Sequence, residues 1–306
     1  MSYLYDTSFT GLAQGASAAN DYRTALQNAL NSATSQGKGL LITQQYGISL
    51  DSNGVGLNMP ANSYLKFTNS GSLKLLAHNT DFYHMILIDG KNNVNVYYPR
   101  LDGSKENNSF SGGESGMGIS LYNASNVNIV KPEIKDTWGD GIYIGGSGTP
   151  NNNVTIFNPK IWGVRRNGIS VISATNMSIY SPELGNITET NPKCGIDFEP
   201  NDNTNKLQNI NVYSPTTIGC YLGLEFSLQG LVGSTAQNVT INVYDWKDVH
   251  SQDTALNRYA FSKGSFSVTG QINVHNVTYV KSNILHDFEA WDNSIVWYLV
   301  NENSIV

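Results

Sequence analysis

Three carboxylates stand at fixed offsets from a recurring glycine, and their types and spacing suit proton transfer. Asp197 follows Gly195 by two residues, Glu225 follows Gly223 by two, and Glu199 follows Gly195 by four. Each glycine opens the pattern glycine, apolar, any residue, apolar. It recurs as Gly118-Ile119-Ser120-Leu121, Gly141-Ile142-Tyr143-Ile144, Gly168-Ile169-Ser170-Val171, Gly195-Ile196-Asp197-Phe198 and Gly223-Leu224-Glu225-Phe226. Alternation of period two marks a half-buried strand. The apolar positions then turn inward, and the residues two and four places after the glycine turn outward. The second outward column reads Ser120, Tyr143, Ser170, Asp197 and Glu225, and the fourth reads Tyr122, Gly145, Ile172, Glu199 and Ser227. Arg166, two residues before Gly168, has the same parity.

If these strands lie side by side, the Asp197 and Glu225 backbones are ~4.8 Å apart, while Asp197 and Glu199 are ~6.5–7 Å apart along one strand. Crowded carboxylates push one pKa up, leaving a proton donor beside an ionised partner. Glycosidic-bond hydrolysis uses such a pair, with carboxyl separations of ~5–5.5 Å for retention and ~6.5–9.5 Å for inversion. The spacing here leans towards inversion. Asp197, Glu199 and Glu225 are therefore the candidate catalytic residues. Arg165, Arg166 and Lys193 could hold acidic sugars. Asp140 and Asp136, at the entrance to the Gly141 strand, read as turn formers or as further acid and sugar contacts. Tyr122 and Tyr143 on the outer face, with Trp138 and Trp162 in nearby loops, offer rings against which sugar C–H faces lie. The competing reading is a surface network in which Arg166 and Lys193 neutralise Asp197 and Glu199. The aromatics would then pack against the loops 102–117 and 185–194, which are long for mere connections.

A second motif says how these strands are brought together. Asn93-Val-Asn-Val, Asn126-Val-Asn-Ile, Asn153-Val-Thr-Ile, Asn176-Met-Ser-Ile and Asn209-Ile-Asn-Val each lead into a proline, at Pro99, Pro132, Pro159, Pro182 and Pro215. Weaker copies begin at Asn238 and Gln271. A glycine-led strand lies between successive copies. Each unit of roughly 23 to 33 residues thus holds two or three short strands, too few to bury a core alone, whereas stacked units build a continuous one. The expected fold is all-β, a parallel β-solenoid. Asparagine tolerates left-handed backbone, and its amide can bond the amide one coil away.

Residues 21–35 instead show helical periodicity, with Asn20 or Asp21 as N-cap and Gly37 and Gly39 closing the helix. This helix is expected to cap the first coil. The organisation expected is one domain over 1–306: an N-terminal segment 1–38 with the helix, coils over 39–280, and a Trp- and Tyr-rich segment 281–306 as the other cap or an oligomer contact.

Composition narrows the function. There are 24 acidic and 18 basic residues, a net charge of −6, with 14% of residues charged and Asn the commonest type. That balance disfavours nucleic acid, whose phosphates need clustered Lys and Arg. No apolar stretch suits membrane insertion. No basic and apolar leader opens the chain, so no signal peptide is expected. The five histidines form no metal-ligand spacing, and Cys194 and Cys220 read as free thiols. Neither a cofactor nor a metal is expected.

The capping segment and the coils of Asn-apolar-polar-apolar and Gly-Ile motifs resemble the right-handed parallel β-helix proteins of the pectate-lyase superfamily over almost the whole chain. Trp138-Gly-Asp-Gly-Ile-Tyr-Ile144, Arg165-Arg-Asn-Gly-Ile-Ser-Val171 and Gly195-Ile-Asp-Phe-Glu-Pro-Asn201 are similar to a bacterial and phage branch of polysaccharide-degrading or tailspike-like proteins. The resemblance implies a right-handed coil, a depolymerase of bacterial capsular or exopolysaccharide, a possible homotrimer, and a place on a phage tail or outside the cell. The pectin-hydrolase signatures Asn-Thr-Asp, Gly-His-Gly and Arg-Ile-Lys are absent. A β-eliminating lyase using Arg166, Lys193 and Tyr143, or a non-catalytic glycan-binding or spike module, are the alternatives.

Overall fold

The structure, a computed structural model, describes residues 1–12 and 14–305. The glycine-led strands Gly116–Tyr122, Ile142–Gly145, Ile169–Val171, Cys194–Phe198 and Leu222–Phe226 lie parallel and adjacent in one sheet, flanked by Tyr83–Asp89 and Thr254–Arg258. Their register is the one the repeat predicts. Ile119 pairs with Ile142, Ile142 with Ile169, Ile169 with Ile196, and Ile196 with Leu224. All five are 0% exposed. The column extends to Ile86 on one side and Leu256 on the other. Glycine recurs because the coils approach closely. A Cβ on Gly168 would sit 2.6 Å from the Gly195 carbonyl oxygen, and one on Gly141 2.8 Å from that of Gly168.

The asparagine-led strands form a second parallel ladder, including Asn92–Tyr97, Ser125–Val130, Asn151–Phe157, Ala174–Tyr180 and Leu207–Tyr213. Asn93, Asn126, Asn153, Asn176 and Asn209 have φ between 53° and 57°. Asn153 Nδ2 donates to Asn126 Oδ1 at 2.6 Å, and Asn209 Nδ2 to Asn176 Oδ1 at 2.9 Å. The residue before each proline turns a left-handed corner, with φ of 46–57° at Tyr98, Lys131, Asn158, Ser181 and Ser214. A short third strand then follows, as in Arg100–Asp102, Glu133–Lys135, Lys160–Trp162, Glu183–Gly185 and Thr216–Ile218. Each full coil thus has three strands. The crossover between parallel strands takes the right-handed sense that twisted strands favour. The chain is a right-handed parallel β-helix filled by one continuous apolar core.

The helix spans Arg23–Ser35 and buries Leu26, Ala29, Leu30 and Ala33 on the first coils. It starts two residues later than expected. Asp21 instead bridges to Gly47, and its carboxylate accepts the N–H of Arg23 at 3.0 Å and of Ser49 at 2.9 Å.

The coils also run past residue 280. Ile284–Phe288 pairs with Thr254–Arg258, and Ile295–Ile305 pairs along Val268–Val280. Within the segment expected as the other cap or an oligomer contact, these strands add a further rung. Asn301 continues the amide ladder, its Nδ2 donating to Asn276 Oδ1 at 3.0 Å. Trp291 and Trp297 pack beneath Arg258, whose guanidinium carbon lies 5.0 and 5.3 Å from their ring centroids. Cys194 and Cys220 are free and buried.

Candidate active site

Parity places the outward columns on the face of the glycine-led sheet that turns away from the core. They are not open to solvent as expected. Asp197 is 0% exposed and Glu225 1%. Segments between the second and third ladders and the next glycine strand fold back over this face, and Arg166 is the residue on which they converge. Its side chain is 11% exposed and meets three carboxylates: Nη2 lies 2.9 Å from Glu199 Oε2, Nη1 3.3 Å from Asp140 Oδ2, and Nε 3.6 Å from Glu114 Oε2. Burial works against the guanidinium charge, and Asp140, Asp197, Glu199 and Glu114 more than offset it, so its pKa lies above the ordinary value.

Below Arg166 is a buried polar layer. Asp140 is 0% exposed. It accepts hydrogen bonds from Ser170 Oγ at 2.7 Å and from the Asn167 N–H at 3.1 Å. Asn167 Nδ2 donates to Ser170 Oγ and to Asp197 Oδ2, each at 3.0 Å, while Asn167 Oδ1 accepts the Cys194 N–H at 2.9 Å. Asn167 and Ser170 therefore join Asp140 to Asp197.

Asp197 and Glu225 occupy paired positions on adjacent strands. Asp197 Oδ1 and Glu225 Oε2 are buried with no hydrogen-bond partner. Desolvation disfavours the charged form of each acid. Burial pushes Asp140 up to about 6, against the pull of Arg166, Ser170 and Asn167. Burial, and then the Glu199 charge, push Glu225 up to about 7. Burial, followed by the charges of Glu225 and Glu199, raises Asp197 well above the usual carboxylate range.

Beside this layer a cleft of about 290 Å³ opens to solvent. Its lining includes Glu114, Tyr122, Tyr143, Arg166, Glu199 and Asn201. Tyr122 and Tyr143 have ring centroids 5.7 Å apart, and Asn201 Nδ2 donates to the Tyr143 hydroxyl at 3.3 Å. Glu199 is the one member of the expected acidic trio that reaches the cleft; its side chain is 35% exposed. The Glu114 side chain, 55% exposed, joins it from the loop before Gly116. Both oxygens contact one guanidinium, so they lie no more than about 9 Å apart, within the reach of paired glycosidase carboxylates.

The other expected sugar contacts make contacts within the chain. Arg165 stacks over Trp138, its guanidinium carbon 4.3 Å from the ring centroid, and its Nη1 donates to the Gly113 carbonyl. Trp138 Nε1 donates to the Gly112 carbonyl at 2.9 Å. This pair clamps the loop that carries Glu114. Lys193 does not pair with Asp197 or Glu199; its Nζ lies 4.6 Å from the Tyr221 ring centroid. Asp136 has φ of 54°, as a turn former would, and pairs with Lys135 at 3.2 Å. Trp162 ends a strand of the third ladder and lines a different cleft, so it is not near the site. Glu114, Asn167 and Asn201 were not among the expected site residues. Glu114 lies in a loop outside either repeat, whereas Asn167 directly precedes a motif glycine and offered a positional signal. Among the described residues, no group of three His, Cys, Asp or Glu is placed to hold a metal ion.

No protein-family model and no curated protein matches the sequence. Solved structures do match. The chain is similar to pre-mature gene product 12 of bacteriophage phi29, with 15% identity and a TM-score of 0.65 over 98% of this chain and 45% of that one. It is similar to a mutant tailspike protein of E. coli bacteriophage HK620 in complex with a hexasaccharide, with 11% identity and a TM-score of 0.71 over 99% of this chain and 57% of the tailspike. A polygalacturonase from Erwinia carotovora gives 11% identity and a TM-score of 0.68, over 92% of this chain and 82% of the enzyme. The chain thus spans about half the length of the two phage proteins. These likenesses establish a fold shared with tailspike and polysaccharide-acting proteins.

Proposed function

We propose that the protein is a polysaccharide depolymerase that hydrolyses glycosidic bonds of a bacterial surface glycan by carboxylate acid/base chemistry, outside the cell or on a phage particle. The observation that carries this reading is the pair of cleft-facing carboxylates, Glu199 and Glu114, held on one guanidinium beside two tyrosine rings. Hydrolysis needs one group to protonate the leaving oxygen and another to activate water or attack carbon. Glu199 and Glu114 are the groups placed to touch sugar. Asp197 and Glu225 lie beneath and act through them: burial holds both above the ordinary carboxylate range, which keeps the floor of the site from gathering full charge. Arg166 positions the two glutamates, and Asn167 and Ser170 hold the buried layer in register. Tyr122 and Tyr143 supply apolar contact surface, and Asn201 supplies a polar contact.

The test is reducing-end release across purified capsular and exopolysaccharides, with Glu199→Gln alongside the wild type. The expected result is cleavage without the ultraviolet absorbance of an unsaturated sugar, and a loss of at least ~10²-fold in turnover for the variant at unchanged folding. An unsaturated product would establish elimination instead. Binding without cleavage would favour a glycan-binding spike module, a reading supported by the burial of Asp197 and Glu225 and the pairing of Arg166 with three carboxylates.

A further inference from the structure

We infer that the cleft takes a neutral or amino-sugar stretch of glycan and rejects uronate and other anionic sugars, with Glu114 as a specificity-determining residue. The inference rests on the depolymerase reading and names the substrate class of that site.

An anionic sugar needs a cation with free donors, and Arg is the residue that supplies them bidentately. Arg166 is the one cation among the residues lining this cleft. Its Nη1 and Nη2 bond Asp140 and Glu199, while Nε, which has no hydrogen-bond partner, lies 3.6 Å from Glu114. The neighbouring cations are spent elsewhere: Arg165 on Trp138 and the Gly113 carbonyl, Lys193 on the Tyr221 ring. Five carboxylates surround the single guanidinium. Even with protons on the three buried acids and on the one cleft glutamate that hydrolysis needs as its acid, the other glutamate matches the Arg166 charge and leaves none for a sugar carboxylate. A sugar carboxylate would have to expel Glu114 or Glu199 from the guanidinium, leaving like charges side by side in a recessed site.

The remaining lining suits an uncharged or cationic ring. Tyr122, Tyr143, Phe82 and Met117 provide apolar surface, and Asn201 and Ser115 provide polar contacts for hydroxyl or amide groups. An amine on the sugar would meet Glu114, the most exposed of the acids on Arg166. The same accounting disfavours β-elimination, because that reaction needs a cation to neutralise the uronate carboxylate and the cation lining this cleft already faces three carboxylates. Rejection of the wrong partner by placed like charge is a recognised route to specificity.

The experiment compares cleavage of hyaluronan and polygalacturonate with their carboxyl-reduced forms, beside dextran, chitosan and a panel of neutral and acidic capsular and O-antigen polysaccharides. Cleavage confined to neutral or amino-sugar polymers, and gained at least ~10-fold when carboxyl groups are reduced, supports the inference. Cleavage of uronate polymers as fast as their reduced forms overturns it and leaves the depolymerase reading standing. Absence of binding and cleavage across the whole panel overturns both. Glu114→Gln, which removes one of the three carboxylates facing Arg166, should shift the ratio of binding affinities for acidic and neutral polymers at least ~10-fold towards acidic ones, a readout that does not need turnover. An unchanged ratio in a folded variant removes Glu114 from the specificity role.

Discussion

Replacing Glu225 by Gln should change how stability depends on pH more than how large it is. Glu225 is 1% exposed, and its Oε2 has no hydrogen-bond partner. Its pKa rises from 4.5 to about 7 on folding, mainly through burial. Between those values the folded protein keeps a proton that the unfolded chain releases, so stability falls as pH rises through that window. The slope reaches about 1.4 kcal/mol per pH unit, and the whole displacement corresponds to about 3 kcal/mol lost by pH 8 relative to pH 4. Glutamine carries no charge at either end. It also removes one of the charges that raise Asp197, an effect of the same sign. Asp140, raised from 3.8 to about 6, contributes its own slope in both proteins and cancels in the comparison. The buried amide can impose a constant penalty of about 1–3 kcal/mol if its donors lack partners, but that offset does not vary with pH. Equilibrium urea denaturation of wild type and Glu225→Gln at pH 4, 5, 6, 7 and 8 measures the difference. The variant should gain about 3 kcal/mol on the wild type across the series. Parallel stability curves would refute the assignment of a buried proton at Glu225.

Further outcomes follow from the coils and their assembly. Ile169→Asp puts a charge into the fully buried isoleucine column and should cost at least about 3 kcal/mol; a soluble variant with unchanged melting would contradict the stacking. Asn153→Ala loses the 2.6 Å amide bond to Asn126 and places alanine at φ of 55°, so denaturation should register a loss of about 1–2 kcal/mol. A homotrimer is the expected assembly, and light scattering at micromolar concentration should return three times the chain mass; a clean monomer would remove the idea.

In a solenoid each residue contacts the equivalent residues one coil before and after, so position in the repeat translates directly into position in space. That is why the isoleucine column, the glycine approach, the asparagine ladder and the outward parity of Asp197, Glu199 and Glu225 were legible in the sequence. The final rung was not, because Ile295–Ile305 carries neither motif in full; Asn301 alone preserves the amide signal. Parity also could not say which outward residues reach solvent. The loops between coils vary in length and follow no repeat, and their return across the sheet is decided by contacts distant in sequence. Arg166 meeting Glu114, 52 residues earlier, and Glu199, 33 residues later, is such a contact. It buries Asp140 and Asp197, leaves Glu199 at the cleft and brings in Glu114. The sequence by itself determined which face of the coil the acids occupy, through a local period of two. Only the tertiary structure decided which of them lost water, because desolvation depends on what the rest of the chain lays over that face.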